Sequence, residues 1–200
     1  MREAAEAAAG LVQPGMRVGL GTGRTVAWLL QALGRRSLTG LRCVATSPQT
    51  EQAARALGIP VEPFDRLDRL DIAIDGADQV TAAHWAIKGG HGAHLREKIV
   101  AAAADRFVVI ASADKLVGTL QSPVPLELER FGLPATLRAV SPAETRAGAP
   151  ITPDGGVLAD YLGAVEDPFE LARRFDQTPG VMGHGLFGPE LVQDLIVGRS

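Results

Sequence analysis

The stretch Met16–Gly34, MRVGLGTGRTVAWLLQALG, decides the fold. Met16–Leu20 is a short apolar strand, Gly21-Thr22-Gly23 a tight glycine turn, and Val26–Leu33 has apolar residues at helical spacing until Gly34 stops it. The pattern then repeats. Leu41–Ala45 reads as a second strand, and Ser47-Pro48, a serine cap with proline in the first turn, opens a helix that Gly58 closes. Ile59–Val61 and Asp71–Ile74 read as strands, Leu95–Ala104 as a helix and Phe107–Ala111 as a fully apolar strand; upstream, residues 2–13 form an Ala/Glu-rich helix ended by Pro14-Gly15. Short apolar strands alternating with helices imply an α/β fold, a parallel sheet covered by helices on both faces.

After Pro123 the composition changes. Prolines at 123, 125, 134, 142, 150 and 153 leave no room for a long regular element. A turn at Asp154-Gly155-Gly156, a strand Val157–Tyr161, a helix Pro168–Phe175 and a strand Val181–Phe187 follow. The expected organisation is an α/β domain over 1–127, to which 186–200 returns, and a small α+β lobe over 128–185.

The 200 residues carry a net charge of −3, with 46% hydrophobic and 22% charged residues and no block of one sign. That suits one ordinary globular unit and leaves no electrostatic footprint for nucleic acid or an anionic membrane. The single cysteine, Cys43, excludes a disulfide framework and a cysteine-built zinc site, and within an apolar strand it reads as an inert core thiol. No apolar run approaches a membrane span and MREAAEAAAG lacks a signal-peptide core, so a cytoplasmic location is expected. The basic residues are seventeen Arg and only three Lys, and Lys88, Lys98 and Lys115 fall within 28 positions. Where a chain that prefers Arg keeps Lys, a compact ammonium can be what the site needs, although leftover surface lysines would look the same.

Three loops could carry chemistry. Gly19–Thr25 joins a strand to a helix, and such a turn aims N–H groups at an anion; Thr22 and Thr25 add hydroxyls. It is neither a dinucleotide fingerprint, since Arg24 replaces the third glycine, nor a P-loop, since no Gly-Lys-Ser/Thr follows. A phosphate site or a merely structural turn is left. In Asp71–Asp78, DIAIDGAD, Asp75 and Asp78 sit three residues apart where a strand stops, fit either for proton handling or for an ordinary Asp-Gly turn. In Ile87–Lys98, IKGGHGAHLREK, Lys88 precedes Gly89 and Gly90, and Glu97 lies in the following helix. The glycines allow close approach of backbone to a ligand, Lys88 adds a cation, and Glu97 is either a base or a helix-dipole residue. All three loops fall at the same edge of the inferred sheet.

Together they resemble ribose-5-phosphate isomerase of the A type. The resemblance is carried by GLGTGRT (Gly19–Thr25), TSPQTEQAARALGIP (Thr46–Pro60), DIAIDGADQV (Asp71–Val80), Ile87–Lys115 and PGVMGHGLF (Pro179–Phe187); it is strong over 14–127 and thin from 128 to 178. It implies a Rossmann-like parallel sheet and an aldose–ketose isomerase that interconverts D-ribose 5-phosphate and D-ribulose 5-phosphate through an enediolate. It implies Glu97 as the base, Asp75 and Asp78 as the acids that open the ring and relay protons, and Lys88 with the N–H groups of Gly89 and Gly90 as the enediolate-stabilising element. Thr22, Gly23 and Thr25 would hold the sugar phosphate and Lys115 would contact it, with no metal or cofactor. A small-molecule sugar phosphate is the expected partner, neither nucleic acid nor membrane, with a homodimer or homotetramer as the assembly.

Several positions depart from the family pattern. Arg24 replaces a serine of the phosphate turn, where it could contact the phosphate or fill the site. His91 replaces a glycine and could serve as a donor that tunes specificity. His94 replaces an apolar or small residue, Gln79 a glutamate and Glu129 a proline; Ile151–Gly156 only loosely echoes its counterpart. A sugar-phosphate-binding homologue with reduced, lost or altered catalysis is therefore the alternative. His84, His91, His94 and Glu97 could also be read as metal ligands. Lys98 is expected to face solvent or support the loop, His184 to be structural, and Trp28 and Trp85 to pack as core or rim aromatics.

Overall fold

The computed structural model describes residues 1–198. The elements run α1 (Arg2–Leu11), β1 (Arg17–Leu20), α2 (Arg24–Arg36), β2 (Arg42–Ala45), α3 (Pro48–Ala56), β3 (Ile72–Gly76), β4 (Gln79–Val80), β5 (Ala86–Ile87), α4 (His94–Ala102) and β6 (Phe107–Ser112). After β6 come β7 (Val124–Leu128), α5 (Leu133–Ala139), β8 (Ala143–Thr145), β9 (Val157–Tyr161), α6 (Pro168–Asp176), β10 (Val181–His184), β11 (Leu186–Phe187) and β12 (Asp194–Gly198). Among the described residues no helix is long and apolar enough to cross a membrane.

The main sheet is parallel throughout, in the order β12-β6-β3-β1-β2. Its residues alternate between two cores. Val18, Leu20, Ile72, Ile74, Val108 and Ile110 face α1 and α2; Val44, Ala73, Phe107, Val109 and Ala111 face α4. Burial on both faces explains why these strands read as unbroken apolar runs. Gly19 serves the second face: a Cβ there would lie 2.5 Å from Val100 Cγ1, so its absence lets α4 settle against β1.

Two expectations for the first half of the chain need correction. Helix α2 begins at Arg24 and passes through Gly34 to Arg36. Gly34 is no stop; a Cβ there would stand 3.3 Å from Leu57, so it marks a close helix–helix approach. Ile59–Val61 forms only a bridge from Val61 to Cys43, because Pro60 has no N–H to extend a ladder.

The second half builds an antiparallel sheet, β10-β7-β9-β8, over a core that includes Leu126, Leu128, Tyr161 and Phe175. Proline does not prevent β7: Pro125 lies just past the last β10 pair, His184 with Leu126. The segment expected as one strand, Val181–Phe187, splits between this sheet and the three-stranded sheet β11-β5-β4. Gly185 makes the switch. Its N–H donates to Pro125 O at 2.7 Å and its carbonyl accepts from Lys88 N–H at 2.9 Å. A Cβ there would lie 2.2 Å from Lys88 O.

Candidate active site

The site lies at the carboxyl edge of the parallel sheet, where such folds place ligands. Strand β3 ends in Asp75-Gly76, helix α4 carries Glu97 in its first turns, and the loop after β5 begins with Lys88. These three side chains are 2%, 4% and 2% exposed. The Lys88 ammonium stands between the carboxylates, 2.7 Å from Asp75 Oδ2 and 3.1 Å from Glu97 Oε2, and it also donates to Gly76 O. Asp75 Oδ1 accepts from Thr22 N–H at 3.0 Å and Gly76 N–H at 2.7 Å. Gly21 is required by this contact, since a Cβ there would lie 1.9 Å from the Asp75 carboxyl carbon.

Two buried acids share one buried cation, so the trio retains a proton readily. Burial raises both carboxyls, but the ammonium and two amides pull Asp75 back towards its charged form. Glu97 is pushed up to about 8, first by burial and then by the charge of Asp75. For Lys88 burial works against the ammonium, yet the two carboxylates outweigh it and hold its pKa above the ordinary value.

One open cleft is lined by Thr22, Gly23, Arg24, Thr25, Asp78, Lys88, Gly89, His91, Glu97 and Lys115. Asp75 is behind that wall and reaches it through Lys88. The Thr22 hydroxyl is turned inward, 2.8 Å from Thr46 Oγ1 and 2.9 Å from Ser47 Oγ. The anion-binding capacity of the turn therefore resides in the first-turn N–H groups of α2, ahead of its first internal bond from Ala27 N–H to Gly23 O at 3.1 Å. Arg24 is exposed at that helix start, and half-buried Lys115 adds a second cation. His91 stands against the turn: a Cβ on Gly23 would meet its Cε1 at 3.7 Å. Gly90 is at the rim, its N–H given to Asp78 Oδ2 at 2.8 Å.

The histidines do not gather. His84 Nδ1 lies 2.9 Å from Val192 O, whereas His94 is fully buried under Gly89. Burial holds His94 neutral, its pKa lowered to about 3. Among the described residues no three His, Cys, Asp or Glu side chains are grouped to hold an ion. Lys98 is not a solvent lysine. It is half-buried with Nζ 3.0 and 3.1 Å from the two ring nitrogens of His184. Trp28 is a rim residue, 38% exposed, with the Arg2 guanidinium over its ring. Sequence reading missed Gly76, Ala77, Ser112 and Met1, which also line the cleft; Met1 Sδ is 3.6 Å from Thr25 Oγ1. Gly76 and Ala77 lie inside the DGAD motif and could have been read from it; nothing local marks Met1.

The profile of the family described as ribose 5-phosphate isomerase A (phosphoriboisomerase A) matches residues 42–200. Ribose-5-phosphate isomerase A of Methylorubrum extorquens is 46% identical over 93% of this chain and 86% of its own length, and that of Nitrobacter hamburgensis 44% over 93% and 88%. Among solved structures, ribose 5 phosphate isomerase A from Neisseria gonorrhoeae superposes with a TM-score of 0.93 at 33% identity, covering 98% of this chain and 91% of that one. A D-ribose-5-phosphate isomerase solved in complex with phospho-erythronic acid gives 0.92 at 32%, covering 99% and 93%. The parallel sheet, the acid–lysine–acid trio at its edge and these matches lead to one conclusion: the chain belongs to the ribose 5-phosphate isomerase A family.

Proposed function

We propose that this chain interconverts D-ribose 5-phosphate and D-ribulose 5-phosphate through an enediolate. The observation that carries the reading is the Lys88 ammonium held between Asp75 and Glu97 beside the N-terminus of α2. The phosphate is held by the first-turn N–H groups of α2 with Arg24, Thr25 and Lys115. That places the other end of the sugar against Glu97. Glu97 takes the proton from C2 of the open-chain aldose, the electron pair becomes the C1–C2 double bond, and the C1 oxygen gains the negative charge facing Lys88. Return of the proton to C1, with transfer of the O2 proton to O1, completes the ketose. Asp78, at the cleft wall, is the acid placed to open the furanose ring and move protons between oxygens. Asp75 acts through Lys88, fixing the ammonium where charge develops.

Incubation with ribose 5-phosphate should yield ketose, and Glu97→Gln should lower kcat by roughly 10³-fold, within the span of a lost general base. A protein that binds the sugar phosphate and melts higher with it, yet never turns it over, would instead support the binding homologue. The complete trio weighs against that alternative.

We also infer a cytoplasmic location, in keeping with an enzyme that acts on a sugar phosphate. We further infer two units close to 1–127 with 186–200 and 128–185, supported by the separate parallel and antiparallel sheets; because β7 (Val124–Leu128) pairs within the antiparallel sheet, the junction falls just before Val124 rather than after residue 127. A homodimer or homotetramer is supported by Phe131 and Phe169, 91% and 60% exposed on the lobe. A monomeric mass by light scattering would remove it.

A further inference from the structure

Arg146 directly follows β8 of the antiparallel sheet, yet its guanidinium ends on the glycine loop of the cleft. Nη1 donates to Gly89 O at 3.1 Å and Gly90 O at 3.2 Å. Nε and Nη2 grip the two carboxylate oxygens of Asp160, on β9, each at 2.7 Å. The two side chains are only 19% and 22% exposed. A two-point grip of this kind fixes the guanidinium plane as well as its position, which a lysine could not do.

The consequence follows from peptide planarity. Each carbonyl shares a rigid plane with the next residue's N–H, pointing the opposite way. Anchoring Gly89 O sets the N–H of Gly90, which donates to Asp78 Oδ2 at 2.8 Å. Anchoring Gly90 O turns the N–H of His91 away from Arg146. Glycines impose little conformational preference of their own, and Gly89 sits at φ +100°, so these planes need outside support. The His94 ring closes the loop from below: a Cβ on Gly89 would lie 2.6 Å from its Nδ1. A cation on the carbonyls also polarises both peptides, which strengthens their N–H groups as donors.

We propose that Arg146, oriented by Asp160, is a positioning residue for the isomerisation: it sets the Gly89–Gly90 and Gly90–His91 peptide planes, so that the Gly90 N–H holds Asp78 and the His91 N–H is turned to the developing enediolate. The inference rests on the reading of this loop, with Lys88, as the enediolate-stabilising element. It also gives the antiparallel sheet a part in the chemistry, since the anchor comes from the residue that follows β8 and from Asp160 on β9.

The test is steady-state kinetics with ribose 5-phosphate on Arg146→Ala, Arg146→Lys and Asp160→Asn, each with a melting curve. Arg146→Ala should lose kcat by roughly 10- to 100-fold with KM changed less than about threefold, as expected for misplaced donors rather than lost substrate contacts. Guanidinium added at about 20 mM, far below the molar range in which it unfolds proteins, should restore part of that loss. Arg146→Lys should recover less than half of it, and Asp160→Asn should fall between wild type and Arg146→Ala. A folded Arg146→Ala with kcat within twofold of wild type overturns the proposal, as does a loss that guanidinium leaves untouched. If Arg146→Ala does not fold, Asp160→Asn decides: wild-type kcat overturns the proposal, and a reduced kcat at unchanged KM supports it. Glu97→Gln separates the two levels. If it is inactive while Arg146→Ala is normal, only the role of Arg146 fails; if it stays active, the reading of the site fails.

Discussion

Two ammoniums lie near the Phe187 ring. Lys88 Nζ lies 5.5 Å from the ring centroid and Lys98 Nζ 5.1 Å, so both gain a similar attraction from the ring. Their partners differ. Lys88 faces two carboxylates at 2.7 and 3.1 Å, which hold it firmly charged. Lys98 faces the His184 ring, and burial lowers its pKa to about 8. On His184 the carboxylate of Asp176 is the partner, its Oδ1 3.0 Å from Nε2. Leu186 N–H donates to His184 Nδ1 at 3.2 Å, so the ring proton is on the Asp176 side. The carboxylates touching a buried lysine, more than its depth, therefore set its protonation.

The comparison breaks most visibly at Lys88. Lys88→Met leaves two buried carboxyls without their cation and should cost about 3–5 kcal/mol at pH 8, on the scale of a broken buried ion pair. The loss should shrink towards pH 5, where Glu97 carries a proton. Urea unfolding at the two pH values measures it, and a variant as stable as wild type at pH 8 would contradict the charged trio.

Glu97 gives the next effect. Its folded pKa, about 8, lies above the unfolded value near 4.5, so the neutral form suits the fold. The contribution is full below pH 4.5 and is lost as pH rises through 8. Glu97→Gln should therefore gain on wild type in melting temperature between those limits and hold a constant lead above them. Wild-type kcat/KM should climb with pH through an apparent pKa near 8 as the base ionises. A flat profile from pH 6 to 9 would show that Glu97 does not limit the free enzyme.

Lys98→Met should do least. The folded pKa of Lys98 lies below its unfolded value of 10.5, so its charge costs stability below pH 8 and the cost fades above pH 10. The variant should keep kcat within about threefold and melt no lower than wild type at pH 7. A large loss of kcat would move Lys98 into the site.

How much of this was readable beforehand depended on sequence distance. Asp75, Asp78, Lys88 and Glu97 lie on loops whose glycines and strand ends mark them locally, and the structure brings all four to one edge. The solvent-facing reading of Lys98 failed because its partner His184 is 86 residues away, on β10. Arg146 went unnoticed for the same reason, 56 and 57 residues from the carbonyls it holds. Gly34 misled because a glycine that admits a neighbouring helix looks the same in sequence as one that ends its own. Thr22 has the right residue type in the right turn, but three inward-facing hydroxyls, on Thr46, Ser47 and Thr50, surround its side chain.

The lone thiol of Cys43 is fully enclosed in β2, and burial drives its pKa up to about 12. A reagent that attacks only thiolates thus finds nothing to react with in the closed protein at neutral pH. Labelling must wait for a local opening that uncovers β2, the end strand of the parallel sheet. The chain carries a natural clock for the opening of that end of its parallel sheet, with no second cysteine to confuse the reading.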